Sequence, residues 1–458
     1  MLTINSVRTN LQELQDHFVL VPIDKAANNI ALICKQYYAS VIHNELKFSD
    51  NTSSNNTYVK ISEQARLIIN KHKKYLKKLG IVMDEDCEKL PNMYWSPKMH
   101  KTPIGSRFII ASKLSSLKSL AQYITSALKV IFRAISSYYE ARQVFTYKKS
   151  FWVIQSNKEL LERLSKINLK SSAKTISTFD FSTLYTMIPH DKLIEVMKRI
   201  LEHTFDNGNR RFICVESTTP GWGGKKSGKF TFNKESLTSS LQYLIENCYF
   251  LVGSLVFRQK IGIPMGSSPA PFLANLFLFH YEKEWIEKTE RKLARSFMYT
   301  YRYIDDLINL NDGNKFEQIF SQIYPSELSL KKENNDNSQA TFLDLDIHIN
   351  NNKFEYKLYD KRDSYEFFIV RFPYIKSNIP SKIFYSSIGA ETLRICRATS
   401  KYSEFLNTIK PFLVRMKNQG SKIRKVEQVI KKVINKNRDN FSKFEKDTST
   451  IITDVFRL

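Results

Sequence analysis

The chain has 458 residues, with 70 Lys and Arg against 45 Asp and Glu, and a formal net charge of +25. An apolar share of 42% with 13% aromatics is that of a packed interior, which excludes a disordered or fibrous chain. The longest apolar runs, such as residues 272–279, fall far short of the roughly 18 residues that a membrane span needs, and the opening MLTINSVRTN lacks a secretory pattern. The reading is a soluble intracellular protein with no membrane partner.

In chain order, apolar runs at 18–23 and 30–34 predict two short strands joined by DKAANN as a turn. Leu117, Leu120, Ile124, Leu128, Ile131 and Ile135 fall on one face of a helix over 115–136, whereas 177–181 is strand-like. Helix and strand are therefore mixed. Five of the thirteen glycines lie within 208–228, read as an exposed loop or hairpin insertion. The string GGKKSGKF at 223–230 mimics a phosphate-binding loop, but Phe230 stands where Ser or Thr would hold magnesium, and no apolar strand leads into it. Five scattered cysteines with no C-x-x-C pair exclude a disulfide framework and a structural zinc site. The excess of positive charge instead draws a polyanion, and nucleic acid is the partner it favours.

The most informative segment is MYTYRYIDDLINL at 298–310, a hairpin with Asp305 and Asp306 at its tip. Acids in an apolar hairpin are costly unless they are paired or bound to a cation. Successive strand residues face opposite ways, so at least one of the two faces a site, and Asp305 is the favoured ligand. Asp180, at the end of the strand in TFDFSTLYT, adds a third carboxylate. Hard oxygen donors suit Mg²⁺, and a pair of such ions can activate an attacking hydroxyl and stabilise a departing oxygen. Between these segments GIPMGSSPAP forms a glycine-containing turn into a helix on which Leu273, Leu276, Phe277 and Tyr281 share a face.

The order Asp180, PMGSSPAP, YIDD resembles motifs A, B and C of the reverse transcriptases. Upstream, YWSPKMHKTPIGSRFIIAS and VPIDKAANNIALI resemble the Penelope-like retroelements, a group similar to telomerase catalytic subunits. Downstream, TFLDLDIHI is similar to the hairpin after the palm. The resemblance implies a mixed α/β (α+β) chain with right-hand polymerase architecture: N-terminal segment and fingers at 1–175, palm at 176–350 with an insertion near 204–236, and helical thumb with a basic C-terminal segment at 351–458. It further implies an RNA-directed DNA polymerase using two Mg²⁺ ions, with Mn²⁺ as a substitute, on an RNA template with a DNA or RNA primer and dNTPs.

Carried over residue by residue, Asp180, Asp305 and Asp306 become the metal-binding catalytic carboxylates. Lys98 and Arg107 become the cations that hold the triphosphate, Tyr185 the bulky residue that excludes a ribose 2′-hydroxyl, and Met265 and Gly266 the neighbours of the nascent base pair. Lys331 or Lys332 becomes the general acid for the leaving pyrophosphate, with the choice left open. A nuclear location in a eukaryotic host belongs to the same implication. So does a departure from the family: only about a dozen residues follow the basic segment, so no terminal endonuclease is expected. Motif B reads GSSPAP where GSPLSP is commoner.

In 401–446, thirteen Lys and Arg stand against four acids, and Ile423, Val426, Val429, Ile430 and Val433 mark one apolar helix face, leaving a positive face for a duplex backbone. Three rival readings remain: a silent nucleic-acid-binding scaffold, an RNA-copying RNA polymerase, and a nuclease built on Asp344 and Asp346. The last pair is expected instead to face solvent at a sheet edge.

Overall fold

The computed structural model describes residues 4–46, 57–208, 210–216, 219–223, 230–361, 365–367 and 369–457. At its centre is a four-stranded antiparallel sheet in the order Thr300–Tyr303, Asp306–Leu310, Ile176–Phe181, Leu330–Lys332. The period of two along these strands feeds two separate cores. Phe179, Phe181 and Leu307 enter a large helical core, while Ile176, Ile308 and Leu310 pack against the three-stranded sheet Gln339–Phe342, Leu345–Asn350, Lys353–Leu358. Both faces of this sheet are covered, and the apolar residues of ISTFDF and DLINL are divided between them, with Ser177, Thr178 and Asn309 buried as polar exceptions away from the acids.

The helical core is built on Lys118–Thr146, whose buried Leu120, Ile124, Leu128, Ile131, Ile135 and Tyr139 recur every three or four residues. Each such side chain contributes about 1.5–3 kcal/mol on burial. It packs against Lys234–Glu246 and Ala270–Lys288. Leu276, Phe277, Leu278 and Phe279 of the latter are all at most 3% exposed, so that helix is buried on every side rather than along one face.

A five-stranded sheet in the order Tyr58–Ile61, Leu255–Gln259, Tyr249–Val252, Asn92–Lys98, Gly105–Ala111 forms the other side of the molecule. It draws strands from both sides of position 175, and the three-stranded sheet likewise crosses position 350. Helices Ser381–Arg397, Tyr402–Asn418, Ile423–Lys436 and Thr448–Phe456 close on a core of their own.

Four expectations change. The second N-terminal strand runs Ala26–Cys34, so the turn is Asp24–Lys25 alone, with Lys25 at φ +61°. Asn28 and Asn29 sit in that strand because their side chains bond Val370. The insertion takes the hairpin form of the two expected but is not exposed throughout: Phe212–Cys214, Gly221–Gly223 and Thr231–Phe232 form a small sheet with Ile213 and Phe232 fully buried, and Phe230 stacks on Tyr123. Most of the phosphate-loop mimic, at 224–229, lies outside the described residues. Asp344 lies in a turn at φ +63°, so it and Asp346 do not share a strand face. Asp346 is buried on a central strand and accepts a hydrogen bond from Gln339 at 2.9 Å. On the basic helix, Val426, Ile430 and Ile434 are buried, whereas Ile423, at the helix start, is 50% exposed.

Candidate active site

Asp180 and Asp306 are register partners on adjacent antiparallel strands, so their side chains leave the sheet on the same face. They sit just beyond the end of the three-stranded cover. Asp305 occupies the turn before Asp306, and its carbonyl accepts a hydrogen bond from the Phe181 amide at 3.2 Å. Burial is the main cause that raises the carboxyl of Asp180 above the usual range, with Asp305 and Glu333 adding to it. Asp306 is pushed up to about 7 by burial and by the charges of Asp305 and Asp180. Lys361 opposes the shift in both cases, and Lys101 does so for Asp180. The sequence favoured Asp305 as ligand; the register makes Asp306 the direct partner of Asp180.

The turn that presents these acids is strained. Ile304 has φ +56°, a region that β-branched residues avoid. Its carbonyl accepts a 2.9 Å hydrogen bond from Arg302 Nη1. Arg302 is fully buried and pairs with the fully buried Glu282 at 2.5 Å; it also donates to the side-chain and main-chain oxygens of Asn275 at 2.8 and 3.1 Å. Tyr324 donates to Glu282 at 3.0 Å. The helix that follows GSSPAP is thus bolted to the acid turn. Arg302 and Glu282 were not singled out from the sequence, although the lone charge in the strand TYRY was an available signal; Glu282 is masked by the charged run EKE that it opens.

Lys98 and Arg107 lie across the hairpin Asn92–Lys98/Gly105–Ala111. Ser96 pairs with Arg107, so Lys98, two residues on, shares that face. Both line a cleft of ≈910 Å³ together with Tyr185, Met265, Gly266 and Asp305. Neither cation is a free surface charge. Arg107 Nη1 bonds Asp24 Oδ1 at 2.6 Å, and burial, with Arg107 and Lys101 adding to it, lowers Lys98 below the ordinary lysine value.

Two glycines set the shape of this cleft. Gly262 has φ +90°, and a Cβ there would collide with the carbonyl of Tyr185, which accepts a 2.7 Å bond from the Ile263 amide. Gly266 has φ +113°, and its Cβ would collide with the Ile110 carbonyl, while Ile110 N donates to Met265 O at 2.8 Å and Ser112 Oγ donates to Gly266 O. Both glycines thus let this segment approach the protein's own backbone closely, which locks Tyr185 and the Gly105–Ala111 strand to one loop.

Lys331 is the register partner of Asp180 and shares its face; Lys332 points the other way and pairs with Glu317 at 2.7 Å. The cations that act on Asp180 are Lys101 and Lys361. A second cleft of ≈620 Å³ holds Asp306 with Lys25, Lys361 and Glu333. Nothing in the sequence flagged Lys361, because 55 residues separate it from Asp306.

Among the described residues no three His, Cys, Asp or Glu side chains form a ready-made metal cage. The donor set nevertheless suits Mg²⁺, which is commonly bound through one or two carboxylates plus substrate phosphates. Burial raises both Asp180 and Asp306, with the charge of neighbouring carboxylates adding to it, and a bound cation would relieve both costs. No described helix is long and apolar enough to cross a membrane.

No protein-family model matches the sequence, and no curated protein matches it. Among solved structures, telomerase from Candida albicans in complex with a TWJ fragment of telomeric RNA matches at TM-score 0.64 and 11% identity, over 97% of this chain and 71% of the telomerase chain. Telomerase from Candida tropicalis, also with a TWJ fragment of telomeric RNA, matches at TM-score 0.50 and 15% identity, over 97% and 68%. The RNA-dependent RNA polymerase of a human picobirnavirus reaches 0.46 at 10% identity over 99% and 88%, too loose a match to bear on the fold. The chain therefore has a fold similar to that of these telomerase chains.

Proposed function

We propose that the chain is an RNA-directed DNA polymerase that extends a DNA or RNA primer on an RNA template with dNTPs. The observation that carries this reading is the meeting of Lys98, Arg107, Tyr185, Met265, Gly266 and Asp305 on one cleft, next to the paired Asp180 and Asp306. Asp180, Asp305 and Asp306 would hold two Mg²⁺ ions, or Mn²⁺ in their place, which would supply activation of the primer 3′-hydroxyl and neutralisation of the leaving charge.

The chain's own residues do the rest. Arg107 grips the triphosphate with its planar fork and Lys98 acts as a point charge. Met265 and Gly266 form the floor beneath the new base pair. Tyr185, whose hydroxyl burial keeps protonated, stands against the sugar and rejects a 2′-hydroxyl by bulk. Lys331 shares the face of Asp180 and is the better placed of the two lysines to protonate pyrophosphate, since Lys332 is tied to Glu317. The exposed Arg424, Lys425, Lys431 and Lys432 of the basic helix offer a sequence-blind grip on duplex phosphates.

The test is primer extension on an RNA template with dNTPs or NTPs, in Mg²⁺ and in Mn²⁺, beside an Asp305→Asn, Asp306→Asn variant. Extension with dNTPs that disappears in the variant supports the reading. Tyr185→Ala then admits NTPs. Extension by the unaltered chain with NTPs instead refutes the role of Tyr185 and makes the chain an RNA-copying RNA polymerase. Salt-sensitive binding of a primer-template without extension makes it a scaffold.

A further inference from the structure

Asp24 stands at the tip of the N-terminal hairpin Phe18–Ile23/Ala26–Cys34 and is 7% exposed. Its Oδ1 accepts the 2.6 Å bond from Arg107 Nη1, and its Oδ2 is buried with no hydrogen-bond partner among the described residues. The pair is lopsided, with the Arg107 side chain 37% exposed and that of Asp24 6%. One corner of the guanidinium is therefore held inside the protein while its remaining donors stay available to the cleft. This is how an arginine is aimed at an anion without being neutralised by a bidentate clamp.

Asp24 is itself fixed from two directions. Its amide donates to Pro97 O at 3.1 Å, on the strand that carries Lys98. Its carbonyl accepts the Tyr365 hydroxyl at 2.5 Å. Tyr365 belongs to a segment that returns from the C-terminal third of the chain. Val370 O accepts from Asn28 Nδ2 at 3.1 Å, Val370 N donates to Asn29 Oδ1 at 3.0 Å, and Tyr365 and Ile369 bury against Ile23 and Ala26.

We propose that Asp24 is a positioning residue for Arg107, and that Tyr365, with Ile369 and Val370, anchors Asp24 so that the Arg107 fork points at the triphosphate of the incoming nucleotide. This rests on the polymerase reading above, and it assigns the far C-terminal segment a part in nucleotide affinity. The sign of the effect separates two roles. If Asp24 orients Arg107, its loss weakens nucleotide binding. If Asp24 only competes with phosphate for Arg107, its loss strengthens it.

The test uses the full chain and compares the wild type with Asp24→Asn, Tyr365→Phe and the double variant. KM for dNTP and kcat in primer extension are measured, with tripolyphosphate affinity by calorimetry as a readout that needs no turnover. Asp24→Asn raises KM and weakens tripolyphosphate binding about tenfold, the worth of one hydrogen bond to a charged group, with kcat little changed. Tyr365→Phe shifts both in the same direction by less, and the double variant is no worse than Asp24→Asn alone, because both act on one residue. An unchanged or lowered KM with unchanged or tighter tripolyphosphate binding overturns the proposal. Equal loss of kcat and thermal stability at constant KM and affinity overturns it too, by making the contact merely structural. Should Asp24→Asn fail to fold, Tyr365→Phe decides by the same two readouts. A wild type that binds tripolyphosphate through Arg107, and loses that affinity in Asp24→Asn, but extends no primer refutes the polymerase reading and leaves the positioning role standing.

Discussion

The two walls of the cleft are built on opposite plans. The acidic wall is a single hairpin tip forced into a left-handed turn at Ile304 and held there by the fully buried Arg302–Glu282 pair. The cationic wall is a hairpin whose key side chain, Arg107, is half in solvent and is steadied by Asp24, which is in turn steadied by Tyr365. Buried ion pairs of good geometry are rigid and costly to break, whereas a partly exposed pair gives way easily. The comparison teaches that the acid-bearing side is fixed in advance, and that adjustment to a ligand belongs to the cationic side.

The largest expected effect comes from the acidic wall. Asp180→Asn or Asp306→Asn lowers primer extension by roughly 10²–10³-fold or more, as loss of direct charge stabilisation does. The same variants melt no lower than the wild type in chelator, because an amide removes a like charge from a buried group. A melting curve beside the activity assay checks both statements. Next, Glu282→Gln leaves Arg302 buried without its counter-charge and costs about 3–5 kcal/mol in urea unfolding. If that variant unfolds as the wild type does, the buried pair is not what makes this wall rigid. Gly266→Ala follows: a Cβ at positive φ meets the Ile110 carbonyl, so a loss of about 2–3 kcal/mol is expected, together with a higher KM for nucleotide from displacement of the Gly105–Ala111 strand.

The smallest effect lies outside both walls. His72 lies in helix Ala65–Leu79, contacts Ser116 Oγ through Nδ1 at 2.8 Å, and has its proton affinity lowered to about 4 by burial. The unfolded chain thus binds a proton between pH 6.5 and 4 that the folded chain refuses. The stability tied to neutral His72 is complete above pH 6.5 and is lost as pH falls toward 4, with about 1 kcal/mol gone at pH 6. Urea midpoints across this range in the wild type and in His72→Gln check it, the variant showing the shallower acid limb.

Much of the site could be read from the sequence because its parts are local. YIDD, TFDF and PMGSSPAP each sit on one strand, turn or loop, and the alternation around them told which elements they would join. The helix face from Leu120 to Ile135 was legible for the same reason, since burial repeats with the helical period. What stayed hidden depends on contacts between distant residues. Register alone decides that Asp306 is the cross-strand partner of Asp180, and no spacing rule fixes register across more than a hundred residues. Asp344 and Asp346 looked like strand neighbours because a two-residue turn with positive φ at Leu343 and Asp344 is usually announced by glycine or asparagine, and here it is not. Lys331 and Lys332 could be separated only once their strand had a partner. Asn28 and Asn29 resembled turn residues because their partner, Val370, is some 340 positions away.

That last separation also bears on how the chain comes to be made. Strand pairings within the five-stranded sheet are largely complete once residue 259 has emerged, and those of the acid-bearing sheet once residue 332 has. The carbonyl of Asp24 and the side chains of Asn28 and Asn29 must wait for residues 365–370. Chains fold as they are synthesised, and contacts between remote positions form late. During synthesis, therefore, the acids are paired on their strands before the arginine opposite them is steadied, and the nascent protein holds an assembled anionic centre beside an unfinished cationic one.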